Sequence, residues 1–266
     1  MIKLGVNSVL FGGFSFATAA RYIALAGYDG VEVSAIMDQR PHLDLDNWKG
    51  QAGEIKRIAS DNGLDLLALE KGPPEEQRLM QAFEAAAEIG IPVINVGPGG
   101  KSEVEDDLQR SIDTLSKLAE QAGSFGVSLC VKAHVGQAIY NTATTLKAMG
   151  SIDSTAFGIN MDPSHVYRAG ENPEQAPPKV LSRVKHIHIR DCKGRQFGPG
   201  APADQACGRG DIDLMGYCRA MADGGYSGPA CLEVIGALEM ELADVATIAA
   251  ESYGYLNACL KALGAR

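Results

Sequence analysis

The stretch that decides the fold is Val184-Lys185-His186-Ile187-His188-Ile189-Arg190-Asp191, in which apolar and polar residues alternate. Side chains of a β-strand point alternately to its two faces, so His186, His188 and Arg190 share one face and the isoleucines share the other. Two imidazoles and a guanidinium on one face are not needed by a strand that faces solvent. We therefore expect the polar face to line the inside of a barrel, with its C-terminal end at a ligand-binding mouth.

Strand-like and helix-like segments alternate along the whole chain in eight pairs. The predicted strands are residues 2–10, 30–36, 64–70, 92–96, 127–134, 156–162, 184–191 and 229–234. Eight such units without a low-complexity linker predict an α/β protein with a single (β/α)8 barrel and one domain over residues 1–266. An open doubly wound sheet is disfavoured because no GxGxxG motif follows the first strand. The glycine- and proline-rich loop 192–210 is unusually long and is expected to be functional or mobile.

Composition limits the partners of the chain. Of its 266 residues 45% are hydrophobic, and 24 basic against 33 acidic side chains give a net charge of −9. This charge disfavours nucleic acid or an anionic membrane as the main partner. Six cysteines without CxxC spacing are typical of reduced thiols, and the sequence has neither a signal segment nor an apolar run that could span a bilayer. We expect a cytoplasmic protein.

Polar or charged residues stand near the C-terminal end of every predicted strand, at positions whose side chains alternation points inward. These residues are Asn7, Glu32, Glu70, Asn95, Lys132, His134, Asp162, His188, Arg190 and Glu233. One such residue would more often be a hydrogen-bonded interior group than part of a site. Agreement among eight strands indicates a shared polar cavity.

Three of these residues form a candidate metal site. Asp162, His188 and Glu233 offer two carboxylates and one imidazole, a set suited to Mn²⁺, Mg²⁺, Co²⁺ or Zn²⁺ with positions left open for a substrate. His134 is a candidate fourth ligand, nearer the mouth. Their spacing in the sequence is by itself a weak signal.

Several short segments of the sequence resemble those of one known family. They are Gly30-Val31-Glu32-Val33, Asn160-Met161-Asp162-Pro163-Ser164-His165, His186-Ile187-His188-Ile189-Arg190-Asp191, Gly208-Arg209-Gly210-Asp211-Ile212-Asp213, and Gly225-Tyr226-Ser227-Gly228-Pro229 through Leu232-Glu233. Together they resemble the sugar phosphate isomerase/epimerase family of the xylose isomerase-like TIM-barrel superfamily, which also contains endonuclease IV, ketose 3-epimerases and inosose dehydratases. The resemblance covers essentially the whole chain. It specifies the superfamily better than the substrate.

The resemblance implies a metal held by a glutamate on the fifth strand, an aspartate on the sixth, a histidine on the seventh and a glutamate on the eighth. Asp162, His188 and Glu233 match the last three, and His165 matches a histidine that contacts substrate. The fifth strand departs from the family, because Lys132 stands where the glutamate is expected. In two-carboxylate epimerases that glutamate is also a proton-transfer base.

Two hypotheses account for Lys132. In the first, the divalent metal stays on the other ligands and Lys132 is a substrate ligand or a base. In the second, the lysine ammonium neutralises Asp162 and Glu233 and no metal is present, since two buried carboxylates need one cation or the other. His134, His165 and His188 at one rim favour the metal.

The resulting functional hypothesis is a metal-dependent isomerase or epimerase that acts on a sugar, keto-sugar or polyol. Glu233 or Lys132 would take a proton beside a carbonyl and form an enediolate. The alternative is a lyase or dehydratase that eliminates a β-substituent from an oxidised sugar, inositol or glycoside, and a third reading is a sugar-binding barrel without activity.

The expected partner is a small carbohydrate, and the resemblance implies a homodimer or tetramer. The candidate substrate contacts are His165, Arg190, Glu70, Asn95, Asn7 and Glu32.

Overall fold

A computed structural model describes residues 1–266 and contains a closed barrel of eight parallel strands in sequential order. The strands are β1 Lys3–Asn7, β2 Gly30–Ser34, β3 Asp65–Gly72, β4 Val93–Val96, β5 Ser128–Lys132, β6 Phe157–Met161, β7 Val184–Ile189 and β8 Pro229–Leu232. Pairing of β1 with both β2 and β8 closes the ring. The predicted (β/α)8 barrel is thereby confirmed.

Nine helices surround the barrel and cover its apolar outer face. They are α1 Phe16–Ala26, α2 Trp48–Asp61, α3 Glu76–Ile89, α4 Glu105–Ser124, α5 Thr142–Ser151, α6 Pro163–Arg168, α7 Pro177–Val180, α8 Leu214–Asp223 and α9 Leu242–Ala262. Local sequence signals set both ends of α1. The Ser15 side chain accepts a hydrogen bond from the Thr18 amide at its start, and Gly27 ends the helix with a φ of 101°. Glycine adopts this left-handed conformation without a Cβ clash.

The seventh strand follows the alternation that predicted it. Ile187 and Ile189 pack into the hydrophobic core between barrel and helices, whereas His186 and His188 are fully buried and contact polar side chains of other strands. Strand pairing aligns Lys132 with Asn160 and Asn160 with His186. These pairings place the polar residues of β5, β6 and β7 side by side.

Six strands end one to three residues earlier than predicted, β1 and β5 among them, whereas β3 ends two residues later. β1 stops at Asn7, whose side chain accepts a hydrogen bond from the Val9 amide and begins a short 3₁₀ helix over Ser8–Phe11. β5 stops at Lys132, and the amide of His134 bonds instead to the Ile139 carbonyl in the following loop. All six cysteines are free, and no helix is both long and apolar enough to cross a membrane.

Candidate active site

A polar cavity of about 540 Å³ opens at the C-terminal ends of the strands. Five of the side chains predicted at strand ends line it, namely Glu70, Lys132, His134, Arg190 and Glu233, together with His165, the substrate contact that the resemblance implied. Their convergence follows from parallel strands, whose C-terminal ends all meet at one edge of a closed barrel. This mouth is the candidate active site.

The other predicted residues lie beneath the cavity and do not line it. Asn7, Glu32 and Asn95 are buried, as are Asp162 and His188. Glu32 accepts hydrogen bonds from Asn95 Nδ2 at 2.6 Å and from His188 Nε2 at 2.7 Å. Their contacts are with other barrel residues, so direct substrate contact by Asn7, Glu32 and Asn95 stays a prediction.

Lys132 lies at the centre of the polar residues. Its Nζ is 2.7 Å from Glu233 Oε1, 3.0 Å from Glu70 Oε1 and 3.2 Å from His188 Nδ1. Burial disfavours the charged amine, but the carboxylates of Glu233 and Glu70 outweigh burial and raise the pKa of Lys132. The side chain is therefore an ammonium ion that donates to three residues from three different strands or strand ends.

Arg190 is a second buried cation in the same cluster. Its guanidinium lies 3.0 Å from Asp162 Oδ2 and 3.1 Å from Glu233 Oε2, and its Nε donates to Ser164 Oγ at 2.8 Å. Burial again opposes the charge, but Asp162 and Glu233 more than offset it and raise the pKa of Arg190. Glu233 thus bridges both cations, with one oxygen facing each.

His188 is oriented by its hydrogen bonds. Nε2 faces the Glu32 carboxylate, whereas Nδ1 lies 3.2 Å from two donors, Lys132 Nζ and Asn160 Nδ2. Burial disfavours the imidazolium, but Glu32 and Glu233 outweigh it and raise the pKa of His188 to about 9. The hydrogen bonds nevertheless correspond to a neutral ring with the proton on Nε2, because Nδ1 can accept from two donors only when unprotonated.

Glu70 and Glu233 share Lys132 yet differ in acidity. Burial raises the pKa of Glu233, but Lys132 and Arg190 together reverse this effect and hold it well below its usual range. No guanidinium contacts Glu70, and burial and repulsion from Glu233 outweigh the nearby Lys132 and raise its pKa to about 7. At neutral pH, Glu70 is the carboxyl group at this mouth that can both take up and release a proton.

Two histidines stack at the rim. The rings of His134 and His165 are 4.0 Å apart between centroids. Burial lowers the pKa of His134 to about 4, with a further contribution from Lys132, and burial with nearby His134 and Arg190 lowers that of His165 well below its ordinary value. Both rings are neutral at pH 7. His134 Nδ1 lies 3.0 Å from the Val135 carbonyl, and the residue is not part of the metal-donor group described next.

The donors expected for a metal are close together: single ligand atoms of Asp162, His188 and Glu233 lie within 4.8 Å of one another. The same three residues already contact the protein's own cations. Lys132 Nζ is within hydrogen-bonding distance of Glu233 and His188, and Arg190 contacts Asp162.

A divalent ion needs ligand atoms at about 2.0–2.3 Å. Such an ion would also be repelled by the ammonium of Lys132, which already lies within hydrogen-bonding distance of Glu233 and His188. The arrangement therefore does not fit a resident divalent metal unless Lys132 moves away.

Four further residues of the site were not among the sequence candidates. Asn160 and Ser164 orient His188 and Arg190, as described above, and Arg168 and Phe197 line the cavity. Asn160 could have been found, because it has the same inward alternation as Asp162. Arg168, one turn after His165 on α6, donates to the carbonyl of Phe197 in the long loop, a contact that no local sequence pattern reveals.

A model of the protein family described as "Xylose isomerase-like TIM barrel" matches residues 20–259. The chain belongs to this family. Membership confirms the resemblance drawn from the sequence and agrees with the observed barrel. As a xylose isomerase-like barrel, the chain carries its polar residues at the mouth where enzymes of this architecture bind substrate.

Curated relatives of this xylose isomerase-like barrel are named as enzymes. An inosose dehydratase from Clostridium beijerinckii is 26% identical over 199 residues, which cover 67% of this chain and 64% of that protein. An inosose dehydratase from Lacticaseibacillus casei is 24% identical over 246 residues, 80% of each chain. Both relatives carry the name of a dehydratase, and the chain spans less than two thirds of the length of the Clostridium beijerinckii protein.

Solved structures share the fold at low identity. A probable 3-DHS dehydratase, AsbF from Bacillus anthracis, has a TM-score of 0.78 at 16% identity, covering 96% of this chain and 99% of the other. A D-psicose 3-epimerase from Clostridium cellulolyticum has a TM-score of 0.79 at 16% identity, with 97% and 99% covered. The IOLI protein, solved with a bound zinc atom, has a TM-score of 0.78 at 17% identity, with 98% and 99% covered.

Proposed function

We propose that the protein is a lyase that removes water from a cyclic polyhydroxy ketone of the inosose class. A base takes the proton from the carbon beside the carbonyl, and the hydroxyl group on the next carbon leaves as water, so that a carbon–carbon double bond forms. The observation that carries the proposal is the position of Lys132, whose ammonium lies between Glu70 and Glu233. The inosose dehydratases among the relatives support the same reaction.

Lys132 favours elimination over epimerisation because it removes one of the two bases that a two-carboxylate epimerase uses. Glu233 is held between Lys132 and Arg190, and its lowered pKa makes it a weak base. Glu70, with a pKa raised to about 7, is the better proton acceptor. One base is sufficient for elimination, whereas epimerisation through an enediolate normally needs proton transfer on both faces of the substrate.

The two cations supply electrostatic stabilisation in this proposal. Proton removal places negative charge on the carbonyl oxygen, and preorganised positive groups at a buried mouth stabilise such charge strongly. Lys132 and Arg190 are both charged and fixed by hydrogen bonds before substrate arrives. Glu233, first considered as the base, holds the two cations in place. An Mn²⁺, Mg²⁺, Co²⁺ or Zn²⁺ ion on Asp162, His188 and Glu233 remains the alternative source of positive charge.

Product analysis tests the reaction. Purified protein is incubated with an inosose and, separately, with D-psicose and D-fructose in deuterated water, with and without a chelator, and products are measured by mass spectrometry and NMR. We expect the inosose to lose one molecule of water and the ketohexoses to remain unchanged. Mass-conserving epimerisation of a ketohexose, with deuterium incorporation and no dehydration of the inosose, would show an epimerase instead.

A further inference from the structure

The ammonium of Lys132 occupies the place between the candidate metal donors. Its Nζ lies 2.7 Å from Glu233 Oε1 and 3.2 Å from His188 Nδ1, so it contacts two of the three candidate ligand residues. Both distances are typical of hydrogen bonds donated by an ammonium group. They are longer than the bonds between a divalent metal and its ligands. We propose that this ammonium replaces the divalent ion, so that the barrel works with a cation attached to its own chain.

The charge of the site is balanced by this replacement. The fifth-strand glutamate and divalent ion that the family resemblance implies would together contribute a net charge of +1, and the single ammonium of Lys132 contributes the same. Asp162, His188 and Glu233 can therefore keep their positions and charges although both the metal and its fourth ligand are gone. Glu70, whose other oxygen accepts from Asn7 Nδ2 at 2.6 Å, holds Lys132 from the opposite side.

Arg190 is a second cation close to the carboxylates of the candidate metal ligands. It contacts Asp162 Oδ2 and the second oxygen of Glu233, the atoms that a metal at this site would also use. Ser164 Oγ at 2.8 Å and His165 Nε2 at 3.0 Å hold the guanidinium in this place. Arg190 thus lies within ion-pair distance of Asp162 Oδ2 and Glu233 Oε2, although neither oxygen accepts a hydrogen bond.

Metal content, calorimetric titration and thermal unfolding test the replacement without any measurement of turnover, so the result does not depend on the proposed reaction. We expect wild-type protein purified without chelator to contain less than a tenth of an equivalent of Mn, Co or Zn. Its melting temperature should change by less than about one degree with 1 mM EDTA or 1 mM MnCl₂. One equivalent of tightly held metal, or a melting temperature that falls by several degrees in EDTA, would overturn the replacement.

The variant Lys132→Glu supplies the missing ligand and removes the ammonium. It should bind Mn²⁺ at least 100-fold more tightly than wild type, and added Mn²⁺ should raise its melting temperature. Lys132→Met removes the cation without adding a ligand and should show a smaller gain. Equal metal affinity in wild type and Lys132→Glu would contradict the proposal, and if Lys132→Glu does not fold, the wild-type measurements alone decide.

Discussion

Lys132 is the residue on which the charge balance of the mouth depends. Its replacement by methionine leaves Glu70 and Glu233 buried without their shared cation, a change that typically costs about 3–5 kcal/mol. We expect Lys132→Met to lower the free energy of unfolding by about this amount in urea titrations at pH 7. The matched control is Lys3→Met, which breaks an exposed pair with Asp65 and should cost about 1 kcal/mol or less. Equal losses in the two variants would contradict the central role of Lys132.

Glu70 is the residue expected to set the pH dependence of the reaction. A general base works only when deprotonated, so with a pKa of about 7 the wild-type kcat/KM should rise as the pH increases through 7 and then level off. Glu70→Gln should lower kcat at least about 100-fold and abolish this rise. Glu75→Gln, at an exposed glutamate paired with Lys71, is the control and should keep the wild-type profile. A profile unchanged in Glu70→Gln would exclude Glu70 as the base.

The long loop after β7 is organised by Asp191, whose side chain contacts the backbone of the loop. Its carboxylate accepts hydrogen bonds from the amides of Cys192, Gly208 and Ile212 and so joins both ends of the loop. Gly210 packs so closely that a Cβ there would lie 2.2 Å from Asp191 Oδ1. The loop described as functional or mobile on its length alone is therefore anchored at its base.

Asp191→Asn replaces one acceptor oxygen by an NH₂ group that faces backbone donors. We expect a loss of about 1–3 kcal/mol in stability and a higher KM, because the loop carries Phe197 to the cavity. Urea unfolding and steady-state kinetics measure both effects. Asp223→Asn, on the exposed end of α8, should change neither quantity. Wild-type stability in Asp191→Asn would show that the loop is held by other contacts.

Phe197 is an apolar side chain left exposed at the mouth. It is 72% exposed yet lines the cavity, and its ring lies against Gly136 of the loop after β5. Phe197→Ala should raise KM several-fold, since the ring can cover a bound substrate, while the melting temperature stays within about one degree. Leu25→Ala removes a similarly exposed side chain, 68% exposed on α1, and should leave KM unchanged. An unaltered KM in Phe197→Ala would remove this residue from the site.

The alternation of polar and apolar residues predicted the strands well wherever hydrogen bonds to the neighbouring strands continued. β7 begins at Val184 as predicted but ends at Ile189, two residues before the predicted end, and its His186 and His188 side chains point inward as predicted. β1 and β5 were predicted too long because local contacts end them: the side chain of Asn7 starts a 3₁₀ helix, and the His134 amide bonds to Ile139. Such competition between a side chain or loop and the sheet leaves little trace in hydrophobic periodicity.

At the scale of the whole molecule, the eight repeated units fixed the barrel and brought the strand ends together, but they did not determine which charges pair. Lys132 contacts Glu70 across 62 residues and Glu233 across 101. The sequence therefore left open whether lysine or metal neutralises the carboxylates. Only the three-dimensional arrangement places the ammonium between Glu233 and His188.

A crystal structure of the protein soaked in MnCl₂, with anomalous diffraction recorded for manganese, tests the replacement of the metal by Lys132 most directly. The expected result is side-chain density for Lys132 with Nζ near 2.7 Å from Glu233 Oε1 and 3.2 Å from His188 Nδ1, and no anomalous peak between them. An anomalous peak ligated by Asp162, His188 and Glu233, with Lys132 turned away, would contradict it.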